Sequence, residues 1–219
     1  MRHAPSSLVS LALSLSCAHA PEPPAEPAAE PAKAAQASPR PSTSGAAAPR
    51  AQAGGVLDYF PLAVGNEWVY VDESPSLPLD RRGARRTVRI LDRTTDGYFR
   101  DNERGELRVE GDCVRDRVRR LLCQPFSPGA AWSSVVSVSS TERYEIASID
   151  ESVETPAGRF GRCVRVRAHN RANRSTDQVL EITYAPRVGP VRIETYVVVD
   201  GRVTPQVKAL LQSYKVETR

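Results

Sequence analysis

Four cysteines and three histidines are the residues of this sequence best suited to nucleophilic catalysis or metal binding. His169 is the only histidine outside the N-terminal segment, and no group of cysteines and histidines has the spacing of a zinc site. We therefore interpret Cys163, on the same predicted strand, as a structural cysteine. A charged strand edge explains carboxylates such as Asp150 and Glu151. The sequence predicts no catalytic residue, no metal site and no cofactor.

Cys17 ends a short apolar stretch at the N-terminus. Residues 8–16 have the length of the apolar region of an export signal and are too short to span a bilayer. A bacterial lipoprotein signal is cut just before a cysteine that then carries lipid, although Ser14 stands where leucine is usual. The alternative is cleavage after Ala20, which would release a freely secreted protein, but Pro21 would then follow the cut. The sequence predicts lipidation of Cys17.

Composition divides the chain into three parts. Residues 1–16 are the predicted export signal, residues 17–54 are the lipidated cysteine and a Pro/Ala-rich tether, and residues 55–219 are a single β domain. The tether has no large apolar side chain, so it cannot offset the chain entropy lost on folding, and we expect a disordered spacer. Ala18 is not a residue that retains lipoproteins at the inner membrane. The predicted location is therefore the outer membrane, with the lipid anchor as the contact to the membrane.

Basic residues cluster at 81–86, 115–120 and 162–174 in a chain with a formal net charge of +4. One interpretation is that these arginines lie on solvated strand faces, where interspersed acids neutralise them. The other is contact with anionic lipid headgroups or glycans. Export removes most nucleic-acid partners, so we expect no nucleic-acid binding.

Short runs of β-branched and aromatic residues recur along the domain and are separated by Pro and Gly turns. Residues 200–201, Asp-Gly between two apolar runs, predict a hairpin. This pattern predicts a mainly β fold, an antiparallel meander that forms a half-barrel or barrel. Residues 205–213 are ambiguous, because Val207, Leu210 and Leu211 would share one face of a short helix near the C-terminus.

Alternation assigns side chains to the two faces of the sheet. In residues 162–168, Val164, Val166 and Ala168 point one way, whereas Cys163 and two arginines point the other way. We therefore expect one apolar face and one solvated face.

Cys113 and Cys123 flank a segment that can fold back as a hairpin. A register with these two cysteines opposite each other would also pair Arg115 with Leu121. An exported protein can form disulfides, so this register predicts a Cys113–Cys123 bridge with Cys163 as the unpaired thiol. The alternative is that all three cysteines stay reduced.

Three motifs together carry a resemblance to a known family. They are "YFPLAVGNEWVY" at residues 59–70, "ETPAGRFGRCVRV" at 154–166 and "YAPRVGPVR" at 184–192. With them the chain resembles the TapB-like group of exported bacterial β-rich lipoproteins of unknown function, in three islands within residues 58–195. The resemblance implies an antiparallel half-barrel or barrel, and it transfers no catalytic residues.

The sequence favours a membrane-tethered, non-catalytic envelope protein that binds or scaffolds a partner. The alternative is a periplasmic carrier that holds a lipid or other apolar ligand on the concave face of a curved sheet. A carrier needs an apolar concave face that solvent can reach, whereas a scaffold fills that face with side chains. An enzyme would need polar groups that converge in a cleft.

Mass spectrometry of the mature N-terminus tests the predicted anchor. We expect a chain that begins at Cys17 and carries several acyl chains, because a single chain anchors a protein only marginally. Cys17→Ala should release the protein from the membrane fraction. An unacylated chain beginning at Pro21 would contradict the prediction.

Overall fold

The computed structural model describes residues 54–217. The predicted export signal, Cys17 and the tether up to residue 53 lie outside the described residues. Among residues 54–217, no helix has the length and apolar character needed to cross a membrane.

The described residues form twelve strands, one short α-helix and one turn of 3-10 helix. The helices are α1 (Val56–Tyr59) and the 3-10 turn Leu79–Arg81. The strands are β1 (Glu67–Asp72), β2 (Arg85–Arg93), β3 (Phe99–Asp101), β4 (Glu106–Glu110), β5 (Cys113–Arg115), β6 (Arg120–Cys123), β7 (Ala131–Ser137), β8 (Ser140–Thr155), β9 (Gly158–Arg171), β10 (Thr176–Ala185), β11 (Gly189–Val199) and β12 (Arg202–Lys215).

All twelve strands belong to one antiparallel sheet in the order β6-β5-β4-β3-β2-β1-β12-β11-β10-β9-β8-β7. Each strand pairs with the strands next to it in sequence, except that β6 and β7 do not pair and form the two edges of the sheet. In addition, the first strand, β1, pairs with the last, β12. The prediction of a mainly β, antiparallel barrel is confirmed. The Asp-Gly hairpin at residues 200–201 is also present, with positive φ at both positions.

The edge strands β6 and β7 meet through side chains and nearly close the barrel. The Trp132 indole N–H donates to the Arg120 carbonyl at 2.7 Å, and the Arg120 guanidinium donates to the Ser133 carbonyl at 2.7 Å. The Arg120 backbone N–H donates to the Ser134 hydroxyl at 3.0 Å. These bonds satisfy backbone groups that an open sheet edge would leave to solvent.

The predicted C-terminal helix is wrong, because residues 205–213 lie within β12. Leu211 faces the barrel interior, whereas Leu210 lies on the outer face but is only 8% exposed. The tip of the β8–β9 hairpin lies beside Leu210, since the Ala157 N–H donates to the Leu211 carbonyl at 3.0 Å. When a strand has apolar residues on both faces, their spacing in the sequence can match that of one apolar face of a helix.

Cys163 is completely buried, although the alternation placed it on the solvated face. Three register shifts along the β8–β9 pairing bend this hairpin over the outer face of the sheet. The carboxylate of Glu151, which pairs with Cys163, thereby lies 2.8 Å from the guanidinium of Arg192 on β11. The predicted solvated face is therefore covered at this end.

Ion pairs lie on the outer face of β9 and β10. Glu181 is 8% exposed, and its carboxylate accepts a hydrogen bond from the Arg167 guanidinium at 2.6 Å and from the Tyr196 hydroxyl at 3.1 Å. The Arg165 guanidinium lies 3.5 Å from the same carboxylate. These arginines are neutralised by neighbouring acids, as the first interpretation of the basic clusters expects.

One end of the barrel, here called the closed end, is filled by α1 and the turn between β10 and β11. The Phe60 ring packs against Trp68 and Tyr184, with centroids 6.1 and 5.7 Å apart. The Trp68 indole N–H donates to the Val188 carbonyl at 2.6 Å. Gly189 has a φ of +108°, and a Cβ there would lie 3.0 Å from the Trp68 indole nitrogen.

The structure joins Cys113 and Cys123 in a disulfide, and the strand register places the two residues opposite each other. The predicted partner of Arg115 is wrong: a register shift after Val114 pairs Arg115 with Arg120 instead of Leu121.

Peptide mapping without reductant tests the disulfide. We expect a linked Cys113–Cys123 peptide and an alkylatable Cys163 after unfolding. The double variant Cys113→Ser, Cys123→Ser should lose about 2–3 kcal/mol of unfolding free energy, because the bridge restricts the unfolded chain. A peptide linking Cys163 to either partner, or three alkylatable thiols, would contradict the pairing.

Gly189→Ala tests the packing of the closed end. A Cβ at residue 189 costs conformational strain at positive φ and also meets the Trp68 ring, so we expect a loss of about 2–3 kcal/mol in chemical denaturation. Gly201→Ala is the matched control, because its φ is +79° but nothing lies within 4 Å of the added Cβ. Equal losses in the two variants would show that the Trp68 contact contributes nothing.

Candidate ligand-binding site

The chemistry-bearing residues named from the sequence do not form one site. Cys163 and His169 lie at separate points of β9, roughly 20 Å apart at the rise of an extended strand. Burial raises the pKa of the Cys163 thiol to about 11, so it stays protonated at neutral pH. Cys113 and Cys123 are bridged, and Cys17 lies outside the described residues. Among residues 54–217, no group of three or more His, Cys, Asp and Glu side chains could hold a metal ion.

The opposite end of the barrel, here called the open end, contains a cavity of about 610 Å³. The turns that join β7 to β8, β9 to β10 and β11 to β12 all lie at this end of the barrel, because successive turns between antiparallel strands alternate between its two ends. The cavity is lined by side chains of mixed polarity: Asp116, Arg119, Leu121, Glu142, Tyr144, Ala168, His169, Asn170, Gln178, Val179, Leu180, Thr195, Tyr196, Val197 and Gln206.

Strand register arranges the wall of the cavity in two rows. The upper row, nearer the turns, consists of Glu142, Asn170, Gln178 and Val197, which face one another across β8, β9, β10 and β11. Three of its four side chains are polar. The row therefore presents hydrogen-bonding groups at the mouth of the cavity.

The lower row lies two residues deeper along each of the same strands. It consists of Tyr144, Ala168, Leu180 and Thr195. The Tyr144 ring is stacked on Trp132, with centroids 5.6 Å apart and planes 9° from parallel. The lower row is thus mainly apolar, and the cavity becomes less polar with depth.

Glu142 is the least exposed of the ion-paired side chains in the cavity wall. Its side chain is 12% exposed. Its Oε2 accepts a hydrogen bond from the Arg119 guanidinium at 2.9 Å and another from the Tyr144 hydroxyl. The second guanidinium contact of Arg119 is to Asp116, at 3.7 Å. Among the described residues, Oε1 of Glu142 has no hydrogen-bond partner.

The electrostatics of this cluster fix its protonation. Burial, followed by the hydrogen bond to Glu142, raises the pKa of the Tyr144 phenol far above its ordinary value. The hydrogen bond to Glu142 also raises the pKa of Arg119. At neutral pH Tyr144 therefore stays a neutral donor and Arg119 stays charged.

Glu142, Asn170 and Gln178 were not predicted as site residues. The signal was present in two strands: Gln178 shares its parity with Leu180 and Ile182, and Asn170 shares its parity with Val166 and Ala168, so a polar side chain ends each apolar face. These residues lie in one row because of the register between three strands. The alternation of side chains within a single strand does not indicate that register.

Comparison with known proteins gives one distant likeness. A solved structure similar to this chain is that of a "putative lipoprotein" from Parabacteroides distasonis, at 15% sequence identity and a TM-score of 0.39. The match covers 72% of this chain and 98% of that chain. No protein-family model and no curated protein matches the chain. A likeness at this TM-score supports no conclusion about this chain, and the resemblance to the TapB-like group stays a prediction.

Proposed function

We propose that the protein is a membrane-tethered, non-catalytic envelope lipoprotein that binds a small molecule in the open end of its barrel. The cavity carries this proposal, because about 610 Å³ is within the ~300–1,000 Å³ typical of small-molecule sites. Phe60 packs against Trp68 and Tyr184 at the closed end, so a ligand would enter from the open end. The proposed anchor is Cys17, the proposed location is the outer membrane, and the TapB-like group remains the proposed relationship.

The character of the lining supports binding rather than catalysis. The carboxylate of Glu142 is already held by Arg119 and Tyr144, and the cavity wall contains no cysteine, serine or lysine. His169 borders the cavity but is exposed, and no described residue hydrogen-bonds to it in a way that would orient it as a base.

A periplasmic carrier of a lipid or other apolar ligand is the second candidate. The observation that favours it is the lower row, where Ala168 and Leu180 form an apolar surface that can be reached through the mouth. The polar upper row restricts this candidate to ligands that also carry a polar group.

A cavity-filling variant tests the proposed binding. Wild-type protein should bind N-phenyl-1-naphthylamine, a neutral apolar dye whose fluorescence rises on burial. Leu180→Trp should weaken that binding by about ten-fold or more, because the larger ring occupies the cavity. Thermal unfolding of each variant shows whether the fold is intact.

Val203→Trp is the matched control, since Val203 lies on the outer side of β12 and is 56% exposed. Its dye affinity should equal that of the wild type. Absence of dye binding by the wild type, or equal binding by folded Leu180→Trp, would contradict a ligand site in the barrel.

A further inference from the structure

Among residues 54–217, one oxygen of a largely buried carboxylate in the cavity wall has no hydrogen-bond partner. Glu142 is 12% exposed, and both of its hydrogen bonds are made by Oε2. A carboxylate can accept about four hydrogen bonds, so Oε1 retains its accepting capacity. A ligand group that donates hydrogen bonds can therefore bind at Oε1.

The charge of the cavity wall favours a cation over an anion. Among the described residues, its lining contains two acidic side chains, Asp116 and Glu142, and one guanidinium, Arg119. The remaining polar members of the upper row, Asn170 and Gln178, are neutral amides. An anionic head at the mouth would meet two carboxylates, whereas a cationic head would balance the excess negative charge.

Arg119 leaves room for a second cation. Its side chain is 43% exposed, and Arg119 directly precedes β6, on the opposite side of the gap between β6 and β7 from Glu142. The Tyr144 ring adjoins the same carboxylate, because its hydroxyl donates to Oε2. An ammonium group at Oε1 would make a charge-assisted hydrogen bond to this carboxylate.

We propose that the cavity binds an amphipathic molecule with a positively charged head, such as a primary amine on an aliphatic chain. The head donates to Oε1 of Glu142, and the aliphatic part lies against Ala168 and Leu180 in the lower row. This proposal rests on the proposed function, since it names the ligand class of the same cavity.

Three probes of equal chain length separate the two proposals: decylammonium, decanol and decanoate, each below its critical micelle concentration at neutral pH. Calorimetric titration of the purified protein should give the tightest binding for decylammonium, by about ten-fold over decanol, and the weakest for decanoate. Binding of none of the probes would contradict the proposed function itself. Binding of all three with equal affinity, or with decanoate tightest, would overturn only the assignment of a cationic head.

Glu142→Gln should reduce the affinity for decylammonium to that for decanol and leave decanol unchanged. Glu145→Gln is the matched control, because Glu145 lies on the same strand, faces outward and pairs with Arg167 at 3.2 Å. It should preserve the order of the three probes.

Arg119→Gln keeps the proposal testable if Glu142→Gln does not fold. Removing this guanidinium takes away one of the two hydrogen bonds to Oε2 and makes the cavity more negative, so decylammonium should bind several-fold more tightly and decanoate more weakly. The opposite change in either affinity would overturn the proposal.

Discussion

The contact between the Trp68 indole and the turn around Gly189 is the constraint on which the rest of the barrel depends. It brings the first strand of the sheet against the turn between β10 and β11, and only a residue without a Cβ allows the ring so close. Two hydrogen bonds fix this approach, from Trp68 to the Val188 carbonyl and from the Tyr70 hydroxyl to the Pro190 carbonyl at 3.0 Å. Phe60, which follows α1, then covers the ring and fills the end of the barrel.

The packing at the closed end leaves the open end as the place where the barrel has a cavity. Phe60 packs against Trp68 and Tyr184 near β1 and the β10–β11 turn, whereas the strands of the upper and lower rows enclose the cavity. A cavity therefore remains at the open end, bounded by strands that extend beyond the packed core. The same sheet thus provides a rigid base and a binding surface, as a site built on strands requires.

Local pattern was sufficient to predict most of the strands, the Asp-Gly hairpin and the register that places residue 113 opposite residue 123. Features that depend on contacts between distant parts of the chain could not be predicted from the sequence. The burial of Cys163 and Leu210 depends on a hairpin that bends over the outer face, and this bend arises from register shifts that no alternation encodes. Likewise, the three sequence islands meet at the closed end, but their spacing along the chain does not indicate these contacts.

Methyl NMR with a neutral gadolinium chelate in the solvent tests most directly whether the barrel interior is filled at one end and open at the other. The account predicts strong relaxation enhancement for the methyl groups of Leu180 and Val197, which line the cavity, and almost none for Val164, Val191 and Leu211, each 0% exposed. Equal protection of both sets would mean that the open end is collapsed. Equal enhancement would mean that the closed end is not packed, and either result would contradict the account.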